Sequence, residues 1–258
     1  MKTSQDQVPK WLSGVLSSLT WASTLFFTVF FNSLSIFLIG PLTFFWDKKR
    51  NILHGVAVNW ARAIIQFSPI SLLWRIHRDG EENIEPGRHY VVVANHQSLL
   101  DILIVLAALP IPFKFMAKKE LFSIPFLGWQ MAFAGYIPID RGKVQSGRNA
   151  MSMAREWLKK DVSVVFFPEG TRSPDGEVHD FKSGAFKAAQ EEKIQILPVV
   201  INGTWDAVPK KSWRLEKKTD FSFSICKPVS IQPDESFEQA RDRVRETLIR
   251  RLAEIRKK

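Results

Sequence analysis

The sequence predicts an α/β protein, with a mixed, largely parallel sheet flanked by helices and an N-terminal hydrophobic, membrane-attached helical segment. Three observations lead there. From residue 90 onward, short β-branched runs alternate with helix-period segments, the pattern of strand–helix units that build parallel sheets. Between Trp11 and Trp46 no residue is charged. Near the C-terminus, Phe237, Ala240, Val244, Leu248, Leu252 and Ile255 recur at three- and four-residue spacing, the signature of a long amphipathic helix.

The uncharged run contains Phe26, Phe27, Phe30, Phe31, Phe37, Phe44 and Phe45. About 20 apolar residues cross a bilayer core as a helix. The run is too long for one such crossing and short for two. It fits one tilted helix with interfacial ends. It equally fits two helices that enter and leave one leaflet, broken at Asn32-Ser33 or Gly40-Pro41. Trp11 and Trp46 stand at its ends, where aromatic residues favour the headgroup region. Lys48, Lys49 and Arg50 follow, which puts the C-terminal side in the cytoplasm. A signal peptide would have a shorter apolar core and a small-residue cleavage site. Next, Ile52, Leu53, Val56, Trp60, Ile64 and Phe67 oppose Asn51, Asn59, Arg62 and Gln66. This second, amphipathic helix either lies in the membrane interface or packs on the domain that follows. Pro69 closes it. Residues 1–74 thus read as anchoring and interfacial helices, and residues 75–258 as a globular domain.

Within that domain Tyr90–Ala94 reads as a buried strand and Ser98–Pro110 as a helix. Phe113–Ala117 and Tyr136–Ile139 read as strands, the latter at a sheet edge because Pro138 lacks an N–H. Val144–Lys160 is helical, Val162–Phe167 is the clearest strand, and Ser183–Glu191 is helical. Ile194–Ile201 and Phe221–Cys226 are further strands.

The chain holds 36 basic and 26 acidic residues, a net charge of +10. That balance favours anionic partners. One cysteine, Cys226, excludes an intrachain disulfide framework and a cysteine-based zinc site. No Gly-x-Ser-x-Gly elbow, P-loop or Gly-x-Gly-x-x-Gly fingerprint occurs. Nucleic-acid motifs are missing too, and the apolar run is an awkward companion for such a role.

His96 follows the Val-rich strand directly and precedes a helix, in Asn95-His96-Gln97-Ser98-Leu99-Leu100-Asp101. Loops after strand C-termini are where open α/β sheets place ligands. Histidine is suited to take a proton near neutral pH, and a carboxylate can orient it. His96 and Asp101 meet only if His96 lies in the turn before the helix and Asp101 in its first turn. Ser98-Leu99-Leu100-Asp101 also reads as a capping box, which needs no catalysis. A second cluster, Phe167-Pro168-Glu169-Gly170-Thr171-Arg172-Ser173, follows another strand. It could offer backbone N–H groups and a guanidinium to a phosphate, or be a plain turn. Arg141, and Lys118 with Lys119, also follow strands; each could face a phosphate or water. Trp205, Lys210, Lys211, Trp213, Arg214, Lys217 and Lys218 form a basic stretch that could touch headgroups or be a solvated loop.

Four blocks in order resemble one family. Asn95–Asp101 looks like its His-x4-Asp block, Gly135–Arg141 like the second, Phe167–Ser173 like the third, and Leu197-Pro198-Val199-Val200 like the fourth. The family is the 1-acyl-sn-glycerol-3-phosphate (lysophosphatidic acid) acyltransferases. The second block carries Pro138 where phenylalanine is common. The resemblance implies transfer of an acyl group from acyl-CoA or acyl-carrier protein to the sn-2 hydroxyl of lysophosphatidic acid, giving phosphatidic acid. It implies His96 as general base oriented by Asp101, and no cofactor besides the thioester co-substrate. Arg141 and Arg172, with Lys118, would bind the phosphate. Glu169, Gly170 and Thr171 would shape the glycerol pocket. The implied setting is a membrane, with the catalytic domain on the cytoplasmic side (the inner membrane in a bacterium) and an anionic surface as partner. A different lysolipid acceptor is the alternative.

Overall fold

The computed structural model describes residues 9–140, 142–207 and 219–257. Helix α1 (Lys10–Leu34) runs without a break into one π turn (Ser35–Ile39) and then α2 (Gly40–Thr43). Neither expected break is present. Asn32 lies inside α1. Pro41 is accommodated because the wider π turn comes just before it, with Gly40 N–H bonded to the Ser35 carbonyl. An added Cβ on Gly40 would lie 3.1 Å from the Phe133 ring, so glycine lets α2 approach the domain closely.

Helix α3 (Asn51–Phe67) begins where both Asp47 carboxylate oxygens accept N–H groups, from Asn51 and Ile52 at 2.9 Å each. It ends before Pro69, as expected. Its buried face is rotated from the expected one: Leu53, Ala57, Ala61 and Ile65 enter the core, whereas Phe67 is 75% exposed. The helix therefore packs on the domain, and α1 packs on it; Trp60 Nε1 donates to Thr28 Oγ1 at 3.1 Å. His54, on the same helix, is buried with Nδ1 3.1 Å from the Tyr136 hydroxyl, and burial lowers its pKa to about 3.

The remaining elements are β1 (Trp74–Asp79), β2 (Val91–Ala94), α4 (Leu100–Ala108), β3 (Phe113–Lys118), α5 (Leu127–Phe133), β4 (Ile137–Ile139), α6 (Val144–Leu158) and β5 (Ser163–Phe166). They continue with α7 (Gly184–Glu191), β6 (Ile196–Asn202), α8 (Thr204–Ala207), β7 (Thr219–Ile225) and α9 (Phe237–Arg256). Strand β1 and helix α5 carry no clear period and were not expected. The seven strands order as β1-β7-β6-β2-β5-β3-β4. β6 and β7 run antiparallel and the other neighbours parallel, so the sheet is mixed and largely parallel. β4 is an edge, where Pro138 costs no ladder bond on its free side.

Apart from Ser163 and Asn202 at strand ends, the central strands β2, β5 and β6 are apolar, because both faces are covered. One face holds Val92, Leu106, Phe113 and Leu197, joined by Leu53 and Ala57 of α3. The other holds Val91, Val93, Val164 and Val200 against Ala154, Phe186, Val244 and Leu248. Each such side chain contributes roughly 1.5–3 kcal/mol when fully buried. With β2 and β5 buried at the middle, their C-terminal ends hold the loops that carry His96 and Glu169.

Candidate active site

His96 leaves β2 in the turn before α4, and Asp101 occupies the first turn of that helix. This is the one arrangement in which residues five apart can meet. His96 Nδ1 lies 2.7 Å from Asp101 Oδ2. The same oxygen accepts Gln97 N–H at 2.6 Å and Ser98 N–H at 2.8 Å. The other, Oδ1, accepts the Thr204 hydroxyl at 2.5 Å. Asp101 thus grips the ring and ties down the turn, but the capping box is not formed: the Ser98 hydroxyl accepts Leu100 N–H at 3.4 Å, and Asp101 N–H donates to the Ser98 carbonyl at 3.3 Å. Oδ2 is an acceptor already engaged by N–H groups, so Nδ1 is the donor of this contact, and in the neutral imidazole that leaves the lone pair on Nε2.

The Phe167–Ser173 segment wraps the same histidine. Glu169 Oε1 accepts His96 N–H at 3.0 Å, and Ser173 N–H donates to the His96 carbonyl at 2.8 Å. The Phe167 ring lies 4.4 Å from the imidazole, tilted by 32°. Gly170 turns the chain with φ of 72°, a left-handed conformation suited to glycine. Glu169 is buried, and burial raises its pKa. Asn95 holds the neighbouring strand: its amide nitrogen donates to the Ile201 carbonyl and its oxygen accepts Ile201 N–H, each at 2.8 Å.

A cavity of about 450 Å³ opens onto His96. Its walls are mainly apolar, with Leu103, Leu106, Phe115 and Tyr136, and it reaches Trp60 and Asn32 beneath α1. Lys118 and Arg172 line it too. Lys118 also sits 3.3 Å from Glu120, an exposed pair, while Arg172 makes no ion pair among the described residues. A second cavity, of about 480 Å³, shares Phe167 and Met116 with the first and is lined by Gly170 and Lys182.

An acyltransferase family profile matches residues 75–202. The chain is 34% identical over 217 residues to the chloroplastic 1-acyl-sn-glycerol-3-phosphate acyltransferase of Arabidopsis thaliana, covering 83% of this chain and 59% of the relative. It is 36% identical over 181 residues to the Saccharomyces cerevisiae 1-acyl-sn-glycerol-3-phosphate acyltransferase, covering 68% of this chain and 59% of that one. The chain thus spans about three fifths of the length of these relatives. The crystal structure of the 1-acyl-sn-glycerophosphate (LPA) acyltransferase PlsC from Thermotoga maritima superposes with a TM-score of 0.69 at 30% identity, covering 93% of this chain and 98% of that one. The chain belongs to the 1-acyl-sn-glycerol-3-phosphate acyltransferase family.

In this family member the expected residues separate into three groups. His96, Asp101 and Glu169 are one bonded cluster, with Glu169 Oε1 on the backbone N–H of His96. Lys118 and Arg172 share the His96 cavity. Gly170 faces the second cavity, and Thr171 is exposed. Arg141 lies outside the described residues, as do Lys210, Lys211, Trp213, Arg214, Lys217 and Lys218; Trp205 is exposed on α8. Thr204, Phe167 and Ser173 were missed as partners of the pair. Thr204 is 103 residues from Asp101, and no spacing rule spans that distance.

Proposed function

We propose that this chain transfers a fatty acyl group from an acyl-CoA or acyl-carrier-protein thioester to the sn-2 hydroxyl of lysophosphatidic acid. The observation that carries this is the His96–Asp101 contact of 2.7 Å at the head of an apolar cavity with two cationic walls. His96 Nε2 takes the hydroxyl proton as the oxygen attacks the thioester carbonyl. Asp101 accepts the Nδ1–H bond, which strengthens as the ring becomes cationic. The tetrahedral intermediate collapses, the thiolate leaves, and the imidazolium returns a proton to it. The acceptor brings its own nucleophile, so no acyl-enzyme forms and no cofactor is needed. Arg172 and Lys118, with Arg141, bind the phosphate through charge-assisted hydrogen bonds. Glu169 positions His96 through its backbone and, with Gly170 and Thr171, shapes the glycerol pocket.

Residues 1–74 seat the chain and residues 75–258 carry the chemistry. The support for seating is the α1–α2 surface. Ser13, Ser17, Thr20, Asn32, Ser35 and Gly40 face the protein, while Trp11, Leu25, Phe26, Phe30, Phe37 and Phe45 face outward. An apolar exposed face suits lipid and is costly in water. The protein-facing residues run the length of the helix, which supports a helix lying in one leaflet along the domain. The active site then faces the cytoplasmic side, with Lys48 and Lys49 at an anionic surface. An acyl chain reaches His96 from the bilayer through the cavity under Trp60.

Detergent-purified wild type and His96→Ala are to be compared with both donors and a panel of lysolipids. Thiol release that requires lysophosphatidic acid and falls at least a thousandfold in His96→Ala is the expected result. Transfer only to another lysolipid replaces the acceptor. Undiminished turnover in the folded variant overturns the role of His96.

A further inference from the structure

Phe167 lies against His96, yet the acyl-transfer steps give its ring no role. The two ring centroids are 4.4 Å apart with 32° between the planes, so face meets face rather than edge. Strand alternation sets this. Phe166, the last residue of β5, points into the core beside α6, α7 and α9. Phe167 therefore turns to the opposite side of the sheet and packs beside the α3 and α4 cluster. The backbone beyond it is held twice: the Phe167 carbonyl accepts Gly170 N–H at 3.0 Å, and the Pro168 carbonyl accepts Lys182 N–H at 2.8 Å. The ring is thus in place before any substrate arrives.

The charges around the imidazole give that ring a purpose. When Nε2 takes the acceptor's proton the imidazole becomes a cation, and His96 is only 5% exposed. A buried cation is costly unless its surroundings answer it. Asp101 answers at one edge, through Oδ2 at 2.7 Å from Nδ1, and Glu169 accepts the backbone N–H at 3.0 Å. Lys118 and Arg172 line the same cavity and oppose a new positive charge. Phe167 covers one face of the imidazole. An aromatic face is the negative side of the ring quadrupole. It attracts a cation within about 6 Å of its centroid, most strongly where water is excluded. A neutral imidazole gains little from that face, so the attraction grows as the proton arrives, which is the condition for speeding the step.

We propose that Phe167 is a positioning residue for acyl transfer, whose ring face holds and stabilises the His96 imidazolium as the proton arrives. It acts through the base and not on the substrate. This deepens the acyl-transfer reading and rests on His96 as its base. Phe167 also lines both cavities, so its bulk shapes substrate space while its π face answers charge. The two roles separate when the electrons of the ring are changed and its size is kept.

The test places 4-fluoro-, 3,5-difluoro- and 3,4,5-trifluorophenylalanine at position 167 of the full chain by codon suppression. Fluorine drains charge from the ring face and nearly preserves its shape. Single-turnover transfer to lysophosphatidic acid is then followed in detergent micelles, from palmitoyl-CoA and from palmitoyl-acyl-carrier protein. The rate constant should fall with each added fluorine, reaching a loss of roughly fivefold with three. KM for both substrates and the denaturant midpoint should stay within twofold and unchanged respectively. Phe167→Leu, which fills the space without a π face, should be slowed at least as much as the trifluoro variant. A rate that stays level through the fluorine series while Phe167→Leu is slow assigns the ring to packing alone and overturns the proposal. Losses carried entirely by KM place the ring on the substrate and overturn it too. His96→Ala, measured alongside, separates this from the acyl-transfer reading. Turnover lost there with a level fluorine series removes only the role of Phe167. Turnover kept there, or no transfer by the wild type from either donor, removes both.

Discussion

Helices α1 and α9 are both long, both lie against the same domain, and are inverted relative to each other. α9 buries Ala240, Val244, Leu248 and Leu252 and turns arginine, glutamate and aspartate outward. α1 buries Ser13, Ser17, Thr20 and Asn32 and turns Trp11, Leu25, Phe26 and Phe30 outward. α9 opens with a full capping box, Ser236 with Gln239, whereas α1 has no side-chain cap and no acidic residue in its first turn. On the membrane-seated reading proposed above, each helix is matched to a different medium. In water the apolar stripe must face the protein. In lipid the hydrocarbon gains nothing from burial against protein, and small or hydroxyl-bearing residues let helices approach closely. Several hydroxyls in α1 are satisfied locally: Ser17 Oγ donates to the Ser13 carbonyl at 2.6 Å, and Thr28 Oγ1 donates to the Thr24 carbonyl at 2.7 Å while accepting the Trp60 indole.

The comparison can be broken most severely at α9. Leu248→Asp would bury an unpaired carboxylate and should abolish cooperative unfolding, a loss above about 4 kcal/mol, read by denaturant titration in detergent. The corresponding change on α1 should act elsewhere. Phe26→Asp with Phe30→Asp should leave the unfolding midpoint in place and weaken vesicle partitioning roughly tenfold per residue, in line with lost apolar transfer. Should the double variant unfold instead, α1 faces protein or water and the contrast fails.

A smaller effect concerns α3, on which α1 rests. Above pH 6.5 His54 is neutral folded and unfolded. Below it the unfolded chain takes a proton that the folded chain refuses until about pH 3. Stability should therefore fall as pH drops, by about 2 kcal/mol at pH 5. His54→Gln should flatten that slope in a pH series of melting curves. The smallest effect belongs to the solvated face of α9. Arg250→Gln should shift stability by less than about 0.5 kcal/mol and leave vesicle binding unchanged.

Much of this was legible in the residues. The alternation from Tyr90 onward yielded β2, α4, β3, β4, α6, β5, α7 and β6 with boundaries off by a few residues. Pro138 marked an edge. His96 and Asp101 could be paired because one local geometry, a turn followed by a helix start, brings them together. Strand β1 escaped because Trp74-Arg75-Ile76-His77-Arg78-Asp79 is mostly polar, as an edge strand with one exposed face can be. The sequence placed Glu169 in the motif but did not show that its Oε1 holds the His96 backbone N–H. A motif names the residue but not the direction its side chain takes.

The sequence by itself determined the strand–helix alternation, the uncharged N-terminal helix and the His96–Asp101 turn, because each is set by residues within a few positions of one another. Only the tertiary structure decided the strand order, which face of α1 meets the protein, and the closing of Thr204, Phe167, Glu169 and Ser173 around His96. Periodicity states that a helix or strand has a face; it does not state what that face meets. Hydrogen bonds between groups 73 and 103 residues apart exist only once β2, β5 and β6 lie side by side and bring their C-terminal loops to one end of the sheet.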